Sequence, residues 1–305
     1  MTGRTRTTPK APDPADRGIV SDADLRRPGI RYGLRAVHGL LLAALLVTGL
    51  GPVLWLAKAA VTPTQDTLRT PLAVFPHGID LANLAEAWTR FDIDLHFVNT
   101  LWLALGSWAV QLLVAVTGGY VLSVLRPWYA RILNWLVLST LFVPAVVLLV
   151  PLYLTVLDVP GLHVSLVNTF WAVWLPAGAN AFNVLLVTRF FDGLPREVFE
   201  AARVDGAGPF RLGWSIVLPM SRPVLGVVSV LAFVTAWKDF LWPLLVLRDQ
   251  AVQPLSVRLP ALQDYVELEV LLAALAVSTV IPVLIFLLFQ RLFLDGAGIS
   301  GAVKG

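Results

Sequence analysis

Six apolar stretches, each long enough to cross a bilayer, dominate this 305-residue chain. A hydrocarbon core is about 30 Å thick, so a helix needs roughly 20 apolar residues to span it. The stretches run Ala36–Ala60, Phe97–Leu122, Ile132–Leu157, Ser165–Phe190, Pro223–Leu247 and Val270–Leu294. In lipid every backbone N–H and C=O must find a partner inside the chain, which makes such segments helices. The expectation is an all-α integral membrane protein with six transmembrane helices. Composition agrees: 57% of residues are hydrophobic and 14% charged, more apolar surface than a soluble domain of this length can bury. Pro52, Pro144, Pro151, Pro176, Pro243 and Pro282 fall inside these spans and read as tolerated kinks. Cysteine is absent, which excludes disulfides and thiolate metal sites. The net charge of +3 is too small to suggest nucleic acid as a partner.

Orientation follows from where Lys and Arg fall. The N-terminal tail, the second and fourth loops and the C-terminal end carry seventeen of them, from Arg4 to Lys304. The opposite side carries five: Lys58, Arg69, Arg90, Arg248 and Arg258. The positive-inside rule places both termini and the fourth loop in the cytoplasm. Residues 1–35, rich in Pro, Asp, Arg and Thr, read as a disordered cytoplasmic tail. The segment 36–60 reads as an uncleaved first span, although Ala57-Lys58-Ala59 weakly mimics a cleavage site. Residues 61–96 form the largest external loop. Within it Leu81, Leu84, Ala85 and Trp88 recur at helical spacing and predict a short surface helix over Ile79–Arg90. Residues 97–294 hold the other five spans, and 295–305 form a cytoplasmic tail, with Gly296–Gly305 not continuing the last helix.

The fourth loop, Asp192–Arg222, carries the most information. Pro195 suits the first turn of a helix, where its missing N–H would be unpaired anyway. Arg196 and Glu200 are four apart and Glu200 and Arg203 three apart, so they can pair on one face. Val198, Ala201 and Ala202 give a smoother face. Asp205-Gly206 supplies a helix stop, with Gly206 free to adopt a left-handed conformation. A second helical run, Phe210–Leu218, ends at Pro219. Helix, glycine turn, helix is a docking element offered to a soluble partner.

These residues resemble a known family. Glu200-Ala201-Ala202, then Gly206, then Ile216-x-Leu218-Pro219 match the EAA loop of binding-protein-dependent ABC importer permeases. Trp237-Lys238-Asp239-Phe240-Leu241-Trp242-Pro243-Leu244 looks like the fifth-helix segment of the carbohydrate-uptake branch, and Gly298–Gly305 looks like its C-terminal tail. The type resembled is the maltose-transport G-subunit, and the likeness covers nearly everything after residue 36. It implies the type I importer permease (MetI-like) fold. It assigns Glu200, Ala201, Ala202, Asp205, Gly206, Leu218 and Pro219 to coupling with an ATPase, and puts the tail near the ATPase dimer interface. The partners it implies are a second homologous permease, two ATPase subunits that bind ATP and Mg, and an external solute-binding protein delivering a sugar. Trp237, Lys238 and Asp239 become candidates for the substrate path. The family usually has Asn where this chain has Lys238. That departure keeps open a charged substrate, such as glycerol phosphate or an amino sugar.

The chain lacks machinery for other classes. Its four lysines, Lys10, Lys58, Lys238 and Lys304, never follow glycine, so it has no phosphate-cradling loop of its own. His38, His77, His96 and His163 show no paired zinc-ligand spacing, and no serine sits in a nucleophile elbow, which leaves an intramembrane enzyme without support. A passive channel would leave the fourth loop unexplained.

The charge asymmetry makes a direct test. In intact cells a membrane-impermeant thiol reagent should label Thr70→Cys and leave Arg196→Cys unlabelled; the reverse pattern would invert the topology.

Overall fold

A computed structural model describes residues 28–298 apart from 72, 74, 76, 77 and 91. The chain divides into two units between Trp55 and Leu56. The first contains most of helix α1 (Pro28–Ala59), apolar all round as a lipid-facing helix must be. This helix starts eight residues before the expected span, so Pro28–Arg35 belongs to it and not to the tail; residues 1–27 lie outside the described residues.

The second unit opens with two short helices, α2 (Thr64–Arg69) and α3 (Ala82–Arg90). Then comes α4, a span from Ile93 to Leu125 whose last turn, Val121–Leu125, is π-helical. The surface helix α3 forms where expected, with its inner face one residue off the predicted stripe: Asn83 and Ala87 are buried, while Leu81 is exposed. Ala87 joins Ala60, Ile93, Leu255, Val270 and Ala273 in an outer apolar cluster.

Three expected spans are broken helices. The third divides into α5 (Ala130–Thr140) and α6 (Ala145–Leu157), bent by 109°. Pro144 is the cause: it disfavours helix in the preceding residue and sits extended at the cap of α6. The fourth divides into α7 (Trp171–Ala177) and α8 (Ala181–Asp192), bent by 42°. Here Asn180 restarts the helix, its side chain accepting the Asn183 N–H at 3.0 Å. The stretch from Ser165 to Phe170, expected to be helical, is a turn in which Asn168 takes φ +62°. The fifth divides into α11 (Arg222–Lys238) and α12 (Leu241–Val246), after Asp239 turns extended. Pro144 thus stands in a helix break and Pro176 and Pro243 lie inside short helices beside breaks, while Pro52, Pro151 and Pro282 lie inside longer helices.

The fourth loop contributes α9 (Arg196–Val204) and α10 (Pro209–Met220), and the chain continues through α13 (Leu255–Leu262) into α14 (Leu268–Gly298). The last helix runs through Gly296 to Gly298, past the expected stop; residues 299–305 lie outside the described residues.

Helix α4 is the axis around which the rest packs, with α8 and α11 against it. Without water between helices, close approach rests on small residues. A side chain at Gly119 would come within 2.8 Å of Val187 and 3.2 Å of the Thr188 backbone nitrogen. The Trp174 ring occupies the space over Gly106. A buried Asn183–Gln111 hydrogen bond of 2.9 Å joins α8 to α4. At its outer end α4 presents His96, Asn99 and Thr100, one turn of polar groups that grips the loop before α13. His96 Nδ1 lies 2.8 Å from the Gln253 carbonyl, Asn99 donates to the Ala251 carbonyl at 2.9 Å, and Thr100 accepts the Leu255 N–H at 2.8 Å.

The α4–α8 contact predicts a sharp positional contrast. Gly119→Val should overpack the contact, lowering stability by about 1–3 kcal/mol and the yield of folded protein. Gly39→Ala, where a Cβ meets nothing within 4 Å, should be close to neutral. Thermal unfolding in detergent measures both.

Candidate functional site

Helix α9 begins after Pro195, which is extended at its cap, and ends in a glycine cap. Gly206 has φ +76°, and its N–H bonds the Arg203 carbonyl while the Ala207 N–H bonds the Ala202 carbonyl, at 3.0 and 2.9 Å. This paired pattern needs a left-handed residue, so glycine is required for backbone reasons. The inward face of α9 differs from the expected one. Phe199 and Ala202 are buried among Val187, Phe191, Leu212 and Val217, while Ala201 stays outside. Helical spacing explains it: 199 and 202 are three apart, and the large Phe199 dominates burial. The outward face is Glu200, Ala201, Val204 and Asp205, with Val204 87% exposed.

The second run also departs from expectation. It starts at Pro209 and passes through Leu218 and Pro219 to Met220, turning by 78° into α11. A π-helical turn at Gly213–Val217 precedes Pro219 and shifts the hydrogen-bond register, which lets the helix accept a residue without an N–H. On its outer side Phe210 and Trp214 stack nearly parallel, with centroids 6.5 Å apart and both rings exposed.

Side chains fix this element to the core. The Tyr120 hydroxyl of α4 donates to the Pro209 carbonyl at 2.6 Å, and its ring covers Gly213, where a Cβ would sit 3.3 Å away. Asp192 accepts from Ser123 and Arg126 of α4, each at 2.8 Å. Ser221, at the turn into α11, donates to the Val217 carbonyl at 2.6 Å. The expected Arg196–Glu200–Arg203 pairing does not form: no ion pair within 4 Å joins them. Instead all three line a cavity of about 270 Å³ with Arg126 and Asp192, wide enough for solvent to separate the charges.

A second cavity, of about 440 Å³, lies where the helix breaks meet. Its wall takes Ala145 from the start of α6, Ala179 and Asn180 from between α7 and α8, and Asp239 and Leu241 from between α11 and α12. Ser107 and Gln111 of α4 complete it. Of the three expected path residues, only Asp239 lines this cavity. Its carboxylate lies close to the backbone N–H groups of Phe240 and Trp242 at the start of α12. Trp237 is buried between Phe233 and Phe97, its indole N–H donating to the Ser278 carbonyl at 3.1 Å. Lys238 is exposed at the last residue of α11, where a cation suits the negative helix end. Ser107, Gln111 and Asn180 were not singled out from the sequence. Polar residues four apart inside an apolar span, as 107 and 111 are, were the available signal. Among the described residues no His, Asp or Glu cluster could hold a metal ion.

Residues 111–296 match the family described as binding-protein-dependent transport system inner membrane component. The chain is 31% identical over 259 residues to the arabinooligosaccharides transport system permease protein AraQ of Halalkalibacterium halodurans, covering 83% of this chain and 91% of the relative. It is 28% identical over 274 residues to the sn-glycerol-3-phosphate transport system permease protein UgpE of Agrobacterium fabrum, covering 86% and 95%. The fold matches a chain of a bacterial ABC transporter involved in the import of the acidic polysaccharide alginate, with TM-score 0.76 and 20% identity, covering 87% of this chain and 97% of that one.

Proposed function

This chain belongs to the binding-protein-dependent transport system inner membrane component family, and on that premise we propose that it forms half of the pathway of a carbohydrate importer and is driven through α9. It is a permease subunit, not an enzyme. A second, homologous permease completes the pathway, two cytoplasmic ATPase subunits bind ATP and Mg, and an external binding protein delivers the sugar. The chain sits in the inner membrane with both termini cytoplasmic. The name of the AraQ relative supports an oligosaccharide substrate. The name of the UgpE relative supports a second reading, glycerol phosphate, in the same fold.

The observation that carries the coupling role is the outward face of α9. Glu200, Ala201 and Val204 point away from the core while Phe199 and Ala202 hold the helix to it. A face of small residues and carboxylates, with Glu200 and Asp205 exposed, fits a cleft in a soluble ATPase, and Gly206 sets its angle to α10, which carries Leu218 and Pro219. A push on α9 passes to α4 through Tyr120 and Asp192, and to α11 through the turn at Ser221. ATP binding would then open the pathway outward and hydrolysis would reset it.

Complexes reconstituted with both permeases, the ATPases and the binding protein test this. Glu200→Ala replaces an exposed carboxylate, a change normally worth under about 0.5 kcal/mol of stability, yet it should lower uptake and substrate-stimulated ATPase activity. Gly206→Val should be more severe, because a β-branched residue resists positive φ and would misalign the two helices. Tyr120→Phe, which keeps the ring on Gly213 and loses the bond to Pro209, should show a partial defect. Membrane insertion and binding-protein association should persist in all three. Wild-type uptake in Glu200→Ala and Gly206→Val would refute coupling through this loop.

A further inference from the structure

We infer that the cavity at the helix breaks is a binding subsite for an uncharged, hydroxyl-bearing ligand, held by Ser107, Gln111 and Asp239. The inference rests on the carbohydrate-importer reading and adds that this chain itself contacts the sugar and selects against anionic ones.

Ser107 is the first ground. It is fully buried, lines the cavity, and its hydroxyl has no hydrogen-bond partner in the chain. Buried hydroxyls are ordinarily satisfied, and an unmet one costs stability. A serine in a helix can bond back to its own backbone, as Thr100 and Thr117 of the same helix do at 2.7 Å. Ser107 does not, which leaves its hydroxyl for something that enters the cavity.

The neighbouring polar groups also have capacity left. Gln111 gives its oxygen to Asn183 at 2.9 Å, and its amide nitrogen makes no hydrogen bond among the described residues. The Asp239 carboxylate lines the cavity, and a carboxylate offers about four acceptor sites. The wall therefore offers a hydroxyl, an amide donor and carboxylate acceptors, set among Leu149, Val173 and Trp242. Apolar surface with a few convergent polar groups, in a volume of about 440 Å³, suits a ring that carries hydroxyls on its edge and C–H on its faces.

Charge is the second ground. No Lys, Arg or His lines this cavity, and Lys238, although next to Asp239 in the chain, is not part of its wall. A phosphate or sulfonate entering would lose its water with no cation to replace it, and would approach a carboxylate. The arrangement favours neutral sugars and disfavours the glycerol phosphate reading.

The test uses the complete importer in proteoliposomes with labelled arabinobiose, melibiose, raffinose, maltose and sn-glycerol 3-phosphate. Wild-type complexes should take up one or more of the neutral sugars and not the phosphate. Ser107→Ala should lower uptake of that sugar roughly three- to tenfold, the loss of one hydrogen bond. Assembly and the binding protein's affinity should stay unchanged and the melting temperature should not fall, because the hydroxyl has no protein partner to lose. Ser107→Thr, which keeps the hydroxyl, should retain most of the uptake. Unchanged uptake in Ser107→Ala would overturn the subsite and leave the importer reading standing. Failed assembly of that variant would also overturn it, by giving Ser107 a structural role. Wild-type uptake of sn-glycerol 3-phosphate would overturn the charge selection alone. ATP-dependent uptake of none of the probes would remove the carbohydrate reading and the subsite with it.

Discussion

A peptide group inside a bilayer has no water to bond to, and the architecture of this permease follows from how each such group is satisfied. Continuous helices solve the problem locally, as α4 does over Ile93–Leu125. Interrupted helices do not, and each interruption here carries its own remedy. Asn180 takes an N–H at the start of α8, the Asp239 carbonyl accepts the Ser256 hydroxyl at 2.6 Å, and Asn168 takes the N–H groups of Arg248 and Asp249 at 2.6 and 3.0 Å. Irregular backbone is tolerated at membrane depth only where it is buried in protein or lines a cavity. The breaks at Pro144, Asn180 and Asp239 meet that condition together, because they surround one cavity.

The same logic separates parts that hold from parts that work. Helix α4 is secured by backbone-close contacts at Gly106 and Gly119, by the Gln111–Asn183 bond and by the outer grip of His96, Asn99 and Thr100. Among the described residues, two of the places that leave groups without partners stand out. One is the exposed face of α9 and α10, with Glu200, Val204, Phe210 and Trp214 open to solvent. The other is the cavity wall at Ser107. Unmet apolar surface suits a protein partner, and an unmet buried hydroxyl suits a passing ligand.

Between these places the path is short. Tyr120 and Asp192 join the α9–α10 loop to the C-terminal end of α4, whose middle carries Ser107 and Gln111. The turn at Ser221 joins the same loop to α11, which ends at Asp239. Packed helices thus connect α9 to both sides of the cavity.

The sequence by itself determined the membrane class, the all-helical fold, the glycine-capped turn after α9 and the family, because each rests on local properties: hydropathy over about 20 residues, the φ that Gly206 must adopt, and a spaced motif. It could not decide which prolines break a helix. Pro151 and Pro282 sit inside helices while Pro144 ends one, and the difference lies in what surrounds the freed backbone groups. It placed Trp237, Lys238 and Asp239 together as neighbours, whereas the end of α11 sends them to three environments: core, exterior and cavity. It set Ala202 on the outer face of α9, but burial of Phe199 against α8 and α10 turned that side inward. Only the tertiary structure decided these points, because which peptide groups, rings and hydroxyls find partners depends on residues tens of positions away in the chain.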